Sequence, residues 1–420
     1  GCAWPDPDDH RSSFEFCENG AKAFITEATK KRVTPEKMRG ISVTELSKLT
    51  DMELDKMGRI TNPLFLKEGQ DTYEEIDWGS AFKIIASRIS GSDDPDENVF
   101  YTSGRASNEA AFLWGVLARQ IGTNNLPDCS NMCHESSGVA LSRSIGIGKG
   151  TVKLSCFEEA DLILVIGQNP GTNHPRMLTA LAACKENGGS VVSINPLEET
   201  AMKRFKHPQN PLHLIGRGVQ IADEHLQVRI GGDAALLQGF AKTMLSQGGT
   251  DPDFISKNTL GFEDWKRHIE STDWETIVEQ SGISRDRIEK TGTAIAKSER
   301  MIVCWAMGLT QHENSVAVIQ EVSNLLLAGG HFGKPGAGAC PVRGHSNVQG
   351  DRTVGINHHP TEDFISSCEN ETGINMPRNK GYDVVEFIQA ALQGRVRTFM
   401  ALGGNLVSAM SDTERVAEAI

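Results

Sequence analysis

The sequence feature that most constrains the fold of this chain is a repeated pattern, in which a predicted strand is followed by a turn of small or amide residues. The segments 161–167, 190–194, 225–230 and 301–306 are predicted to be strands, and stretches of helical periodicity lie between them. Alternation of strands and helices favours parallel sheets that are covered by helices on both faces. The sequence therefore predicts an α/β fold, preceded by a polar and irregular region over residues 1–70.

Composition and charge narrow the class of protein. The 420 residues include 42 Lys and Arg against 55 Asp and Glu, a net charge of −13, so the chain lacks the basic surface that nucleic acid or an anionic membrane requires. No apolar run approaches the roughly 18 residues of a membrane span. Nine cysteines, an odd number spread along the chain, are typical of a reducing compartment rather than of a disulfide framework. We expect a globular, cytoplasmic protein.

Five turns indicate where a ligand binds. In doubly wound sheets, ligands lie at the carboxyl ends of the strands, and glycine lets the backbone approach a phosphate or a ring closely. Neither a Walker A sequence nor the G-x-G-x-x-G fingerprint is present, which argues against a P-loop kinase and against a simple NAD enzyme. The turns, each after a predicted strand, begin at Gly167, Asn195, Gly231, Met307 and Gly403.

Two loops contain the residues with the most reactive chemistry. The loop from Gly122 to Gly150 places Cys133 next to His134, a pair that can act as nucleophile and base, as metal thiolate and proton acceptor, or in packing alone. The glycine-rich segment 329–350 contains a single arginine, Arg343. A lone guanidinium among glycines is typical of a site that binds a small anion.

These segments together resemble the molybdopterin-dependent oxidoreductases of the dimethyl sulfoxide reductase superfamily, and within it formate dehydrogenase H-like catalytic subunits. The phrases Gly-Cys-Ala-Trp-Pro-Asp-Pro and Cys-His-Glu-Ser-Ser-Gly point to its YdeP-type branch. The order of the motifs is that of the superfamily: Cys133-His134, Gly167-Gln168-Asn169-Pro170, Gly231-Gly232-Asp233, Gly308-Leu309-Thr310-Gln311 and Pro341-Val342-Arg343-Gly344.

The resemblance implies two doubly wound α/β domains of the molybdopterin oxidoreductase fold plus a small irregular N-terminal region. Residues 1–72 would form that region and could hold an iron-sulfur layer. Residues 73–128 and 346–420 would form a discontinuous α/β domain, with the strands at 98–102 and 396–402 in one sheet. Residues 129–345 would form an inserted domain with the metal ligand and the pterin contacts. Members of the family end in a β-barrel domain, so we expect the chain to be a fragment that lacks it.

The resemblance also implies site residues and cofactors. Cys133 stands where the family places the protein ligand to molybdenum or tungsten, His134 matches a general base, and Arg343 matches an arginine that holds a carboxylate. The cofactor would be bis(molybdopterin guanine dinucleotide), with a [4Fe–4S] cluster in the first domain. Expected cofactor contacts are Lys22, Gly167, Asn169, Asn195, Gly231, Asp233, Met307, Gly308, Gln311, His345 and Gly403; Cys2 and Cys17 are candidate cluster ligands.

The implied activity is a two-electron oxidation or reduction of a small anionic substrate, with the electrons passed to a cluster or to a partner. Residues 135–137 read Glu-Ser-Ser, and His345 stands where formate dehydrogenases carry a glutamine, so formate as the substrate stays open. A non-catalytic scaffold without metal is the alternative, and the presence of Cys133, His134 and Arg343 argues against it. A cysteine-histidine hydrolase would lack an obvious orienting Asn or Asp and would leave the glycine turns unexplained.

Overall fold

The computed structural model describes residues 4–8, 17–207, 216 and 218–420. The chain forms two compact units. The first unit comprises residues 18–129 and 347–420, and the second comprises the described residues of 2–17 together with 130–346. Each unit has its own sheet and its own apolar core.

Strands in the described part of the chain are numbered in chain order. They are β1 (Arg32–Val33), β2 (Arg59–Ile60), β3 (Leu64–Phe65), β4 (Glu74–Glu75), β5 (Asn98–Thr102), β6 (Leu162–Ile166), β7 (Ser190–Ile194), β8 (Glu224–Leu226), β9 (Met301–Trp305), β10 (Gly338–Pro341) and β11 (Thr398–Leu402).

The second unit is built on a five-stranded sheet in the order β10-β9-β6-β7-β8, with all neighbouring strands parallel. Strands β6 and β9 are buried along their whole length, because apolar clusters pack against both faces of the sheet. Leu164 belongs to the cluster on one face and Ile163 to the cluster on the other. A strand covered on both faces is apolar at every position, which explains why continuous apolar runs marked these strands.

Helices cover this sheet on both faces. On one face, Phe240 and Leu325 pack into the larger cluster, and on the other face Met177 and Leu181 join Trp4 and Phe157. Among its described residues, the α-helices of the second unit are Glu135–Ile145, Cys156–Glu159, Pro170–Asn173, Met177–Glu186, Thr200–Lys203, Asp233–Ser246, Pro252–Asn258, Phe262–Ser271, Trp274–Ser281, Arg285–Lys297, Met307–Thr310 and Ser315–Ala328.

In the first unit, β5 and β11 form a parallel pair in which Asn98 lies opposite Thr398. The two strands therefore share one sheet, as the family resemblance implied. Strands β1 and β2 form a parallel pair, and β3 and β4 form an antiparallel pair. The helices of this unit are Glu18–Glu27, Pro35–Arg39, Val43–Leu46, Asp51–Met57, Trp78–Ser90, Asn108–Ile121, Val348–Thr353, Glu362–Thr372, Val384–Leu392, Leu406–Ala409 and Thr413–Ala419.

Several segments differ from the sequence-based expectation. The loop between Gly122 and Gly150 contains the helix Glu135–Ile145, the glycine-rich segment contains β10, and residues 18–72 contain short helices and strands rather than irregular chain alone. Strand β8 ends at Leu226 because the Val228 amide donates to the Leu226 carbonyl at 3.0 Å and turns the chain.

Candidate active site

The order of the five-stranded sheet reverses between β6 and β9. From β6 the chain continues to β7 and β8 on one side, and it returns to β9 and β10 on the other. Gly167 and Gly308 follow these two strands, and the amide of Gly308 donates to the carbonyl of Gly167 at 3.0 Å. A Cβ built on Gly308 would lie 2.4 Å from the Cα of Gly167, so a side chain would force the two turns apart. Crevices at such reversals are where α/β sheets bind ligands.

Cys133 lies beside the turn that follows β9. Its Sγ is 3.5 Å from the Sδ of Met307, and the residue is only 6% exposed. The amide of Cys133 donates to the carbonyl of Ser130 at 3.1 Å, inside a short 3₁₀ turn that spans Cys129–Met132. Gln311 Nε2 donates to the Met132 carbonyl at 3.0 Å. The structure thus brings three predicted site residues together: Cys133, Met307 and Gln311.

Both ring nitrogens of His134 are hydrogen-bonded. Nε2 is 2.9 Å from the carbonyl oxygen of Val342, and because a carbonyl only accepts, Nε2 carries the proton. Nδ1 is 2.9 Å from Ser137 Oγ and therefore accepts from that hydroxyl. The indole nitrogen of Trp305 donates to the same Oγ at 2.9 Å. The partners of this chain of three hydrogen bonds determine the tautomer of the imidazole.

The environment of His134 makes it a very weak base. It is 1% exposed, and burial, with a smaller contribution from the positive charge of Arg343, lowers the pKa of His134 to about 3. A free imidazole has a pKa near 6.5, and the value falls here because an imidazolium ion would lose its hydration. His134 is neutral at pH 7 in this arrangement, and its assignment as a general base stays a prediction.

A second buried histidine holds the adjoining peptide unit. His174 Nε2 is 2.7 Å from the carbonyl oxygen of Arg343, so this nitrogen also carries the proton. Consecutive carbonyls, those of Val342 and Arg343, are therefore each held by a buried imidazole. The guanidinium of Arg343 donates to the carbonyl of Gly148 at 3.3 Å. These contacts fix the Arg343 segment next to the dipeptide that contains His134.

Glu199 connects two of the predicted turns. Its Oε2 accepts from Asn169 Nδ2 at 2.7 Å, and its Oε1 accepts from Asn195 Nδ2 at 3.2 Å. The sequence analysis predicted both asparagines as site residues and missed Glu199. Its position four residues after Asn195 is the one sequence feature that could have indicated it. The carboxylate sets how the two amide side chains are oriented at the carboxyl edge of β6 and β7.

Asp233 begins the long helix Asp233–Ser246 rather than capping it. The N-cap residue is Gly232, and Asp233 is the first helical residue, although an aspartate at the start of a helical pattern is typical of an N-cap. Its side chain is nearly buried, and burial raises the pKa of Asp233 to about 6. Gly231 has a φ of +82°, and a side chain there would meet no atom within 4 Å. The glycine is therefore needed for its backbone conformation and not for close packing.

Other predicted site residues lie elsewhere. Gly403, in the first unit, follows β11 with a φ of +76°, and Lys22 is exposed on the helix Glu18–Glu27. His345 is half-buried in the bend after β10, and Cys17 is half-buried. Cys2 lies outside the described residues. Within the described ranges, no group of three or more His, Cys, Asp or Glu side chains is arranged to hold a metal ion.

Comparison with known proteins identifies the family. The profile of the molybdopterin oxidoreductase family matches residues 59–420. The chain belongs to the molybdopterin oxidoreductase family. An uncharacterised oxidoreductase of Mycobacterium tuberculosis (strain ATCC 25618 / H37Rv) is 49% identical over 419 residues, which cover 98% of this chain and 54% of the relative. Protein YdeP of Escherichia coli (strain K12) is 45% identical over 428 residues, which cover 99% of this chain and 56% of YdeP. The chain thus spans about half the length of these curated relatives.

A solved structure shows the same fold. Acetylene hydratase from Pelobacter acetylenicus superimposes with a TM-score of 0.66 at 17% sequence identity, over 96% of this chain and 53% of that chain. The resemblance and the fold class predicted from the sequence are therefore confirmed. No helix among the described residues of this molybdopterin oxidoreductase is both long enough and apolar enough to cross a membrane.

The residues at the sheet reversal fit the molybdopterin-type cofactor that the family implies. Cys133 offers a soft sulfur donor, which suits a metal that is also bound to dithiolene sulfurs. Within the part of the chain that the structure describes, three buried polar atoms near this edge have no hydrogen-bond partner: Gln168 Oε1, His174 Nδ1 and Thr310 Oγ1. Buried polar atoms are nearly always paired in folded proteins, so these atoms are suited to a polar ligand at the carboxyl ends of β6 and β9.

Proposed function

We propose that this chain contains the metal and dinucleotide site of a molybdenum or tungsten bis(molybdopterin guanine dinucleotide) oxidoreductase. The proposed reaction is a two-electron oxidation or reduction of a small anionic substrate, with formate as the first candidate. The observation that carries this proposal is the placement of Cys133 beside Met307 at the sheet reversal, with the Arg343 segment held next to it by buried histidines.

The cofactor would be held by backbone turns and by one thiolate. Cys133 would supply the protein ligand, while the turns that follow β6, β7 and β9 would let the backbone approach phosphates and pterin rings closely. When bound, the metal would supply an acceptor or donor for two electrons. Oxidation of formate balances as formate giving carbon dioxide, one proton and two electrons. The electrons would leave through a [4Fe–4S] cluster, for which Cys2 and Cys17 remain candidate ligands, or to a partner protein.

Arg343 would hold the substrate anion. A guanidinium presents two parallel N–H groups that match a carboxylate, and this match gives both affinity and orientation. His134 and His174 hold the carbonyls of Val342 and Arg343, so they would limit the movement of the arginine relative to Cys133. His134 could accept a substrate proton only if the Ser137 hydroxyl released Nδ1, because that nitrogen already accepts a hydrogen bond.

A non-catalytic scaffold is the competing function. A scaffold has no need for a buried thiol beside Met307, nor for buried polar atoms without partners such as Gln168 Oε1 and Thr310 Oγ1. An unpaired buried polar group costs about 1–3 kcal/mol. These atoms therefore favour a chain that binds a polar ligand at this edge.

Metal analysis and substrate-dependent dye reduction test the proposal. The full-length protein is produced with cofactor supply, and its molybdenum and tungsten contents are measured for wild type, for Cys133→Ala and for the control Cys156→Ala, which removes a half-buried thiol elsewhere in the second unit. We expect metal and formate-dependent turnover in wild type and the control, and their loss in Cys133→Ala. Metal-free wild type would support the scaffold, and an unchanged Cys133→Ala variant would contradict the proposed ligand.

The substrate arm of this test uses Arg343→Lys. A lysine keeps the positive charge and loses the planar fork, so we expect a KM for formate that is higher by about tenfold, with a smaller change in kcat. Loss of metal from this variant would instead assign Arg343 to cofactor binding. If metal-loaded wild type turns over another small anion but not formate, the proposed site stands and formate is replaced as the proposed substrate.

A further inference from the structure

Two cysteine side chains lie next to each other in the sheet of the second unit. Cys304 of β9 and Cys340 of β10 are register partners in a parallel pair, so their side chains leave the same face of the sheet. Both thiols are free and belong to the same apolar cluster. Cys304 is fully buried, whereas Cys340 is half-buried and is the thiol that a small reagent would reach first.

The spacing of the pair is compatible with a covalent bond. Neighbouring strands lie about 4.8 Å apart, and the Cα atoms of disulfide-bonded cysteines are about 4.4–6.8 Å apart. Burial, together with a hydrogen bond to the Cys340 thiol, raises the pKa of Cys304 well above its usual value. The register therefore places the two thiol groups side by side on one face of the sheet.

We propose that Cys304 and Cys340 form a redox site, in which a small disulfide oxidant converts the two thiols to a reversible disulfide between β9 and β10. This proposal does not rest on the proposed oxidoreductase function. The nearby Cys184 is fully buried and its Sγ donates to the Ala160 carbonyl at 3.4 Å, so we expect it to remain a thiol.

The chemistry takes two exchange steps. The Cys340 thiolate attacks one sulfur of oxidised glutathione, which forms a mixed disulfide and releases one glutathione thiolate. Cys304 then attacks the sulfur of Cys340 and displaces the second glutathione, whose thiolate takes up the proton of Cys304. Two protein thiols are oxidised and one glutathione disulfide is reduced to two thiols. The second step is slow, because little of Cys304 is ionised at neutral pH.

The position of the pair gives the disulfide a way to affect the candidate active site. Cys304 and Trp305 face opposite clusters, so the disulfide would lie on the side of the sheet away from Ser137. It would nevertheless tie the backbone one residue before Trp305 and two residues before Val342. Those two residues make hydrogen bonds in the chain that includes His134.

Peptide mapping can detect this disulfide directly. Trypsin cleaves after Arg300 and Arg343 but not at the bond between Lys334 and Pro335, so one peptide, residues 301–343, contains Cys304 and Cys340 as its only cysteines. The purified protein is incubated with oxidised glutathione, alkylated under denaturing conditions and digested. We expect this peptide to be lighter by two hydrogen atoms and to take up no alkyl group, and we expect dithiothreitol to restore both alkylation sites.

Variants and alternative products make the test decisive. Cys184→Ser should leave the disulfide intact, and Cys304→Ser should leave glutathione attached to Cys340. The proposal is overturned if both cysteines of the wild-type peptide remain alkylatable while the half-buried Cys156 acquires glutathione. It is also overturned if glutathione stays on Cys340 in wild type, or if the peptide 177–185, which contains Cys184, becomes the cross-linked partner.

Discussion

Replacing Ser137 by alanine tests whether the hydrogen-bond chain around His134 is a structural unit. The Ser137 hydroxyl serves two partners, since it accepts from the Trp305 indole and donates to Nδ1 of His134, both at 2.9 Å. Trp305 and His134 are almost fully buried. The substitution removes one oxygen atom and leaves two polar groups in the core without their partner.

The expected loss of stability follows from the number of buried polar groups that lose their hydrogen-bond partner. Each buried donor or acceptor that loses its partner costs about 1–3 kcal/mol, so the two groups together cost roughly 2–6 kcal/mol. Partial relaxation of the indole and the imidazole places our expectation near the lower half of that range, about 2–4 kcal/mol. The adjacent Ser136 is a matched control, because its hydroxyl makes a single longer hydrogen bond, 3.3 Å to the Thr310 carbonyl, and is only partly buried. Ser136→Ala should cost about 1 kcal/mol or less.

Urea unfolding at neutral pH measures the difference between the two variants. Tryptophan fluorescence and far-UV circular dichroism should report the same midpoints if the second unit unfolds cooperatively. A Ser137→Ala variant that is no less stable than Ser136→Ala would refute the hydrogen-bond chain as described. A loss confined to Ser137→Ala, and reduced in Ser137→Thr, would support it, because threonine retains the hydroxyl.

Two further predictions concern buried titratable groups. The pKa of His134 is about 3 in the folded chain against about 6.5 when unfolded, so wild type should lose unfolding free energy as the pH falls from about 6.5 towards 3. His134→Gln, which can donate to the Val342 carbonyl but cannot ionise, should lose less in urea melts across that window, and equal losses would contradict the assignment. In the first unit, burial and the charge of Asp128 raise the pKa of Asp351 to about 7, so ionisation of the folded protein is unfavourable. The stability advantage of Asp351→Asn over wild type should therefore grow between about pH 4 and pH 7 and then level off; thermal melts that show no such trend would argue against the raised pKa.

Local sequence signals were sufficient for much of the fold. Strands β5 and β7 have the predicted bounds, because each has a short apolar stretch, Val99-Phe100-Tyr101 in β5 and Val191-Val192 in β7, bounded by polar residues. Serine is a preferred N-cap residue, and Ser107 caps the helix Asn108–Ile121 because its side chain accepts from the Ala110 amide at 3.3 Å. Capping depends on residues three positions apart, so it can be read from sequence alone.

Long-range pairing decided what local signals could not. Strand β10 has the sequence Gly-Ala-Cys-Pro, which shows no strand preference, and it becomes a strand only by pairing with β9 in register. The helix Glu135–Ile145 follows His134, which makes no side-chain cap, so the usual start signal was missing. Strand β10 gains its hydrogen bonds from β9, and the helix is stabilised by packing against distant residues. In both segments the tertiary contacts override weak local preferences.

In the candidate site, too, some features depend on local sequence and others depend on long-range contacts. The sequence by itself determined the family, the soft sulfur of Cys133 and the glycines at 167 and 308, because these depend on residue type and order. The tertiary structure alone decided the state of His134, whose Nε2 partner Val342 is 208 residues away and whose Ser137 partner is shared with Trp305, 168 residues further along. A pKa depends on burial and on the neighbouring charges, and both exist only after those distant segments have packed together.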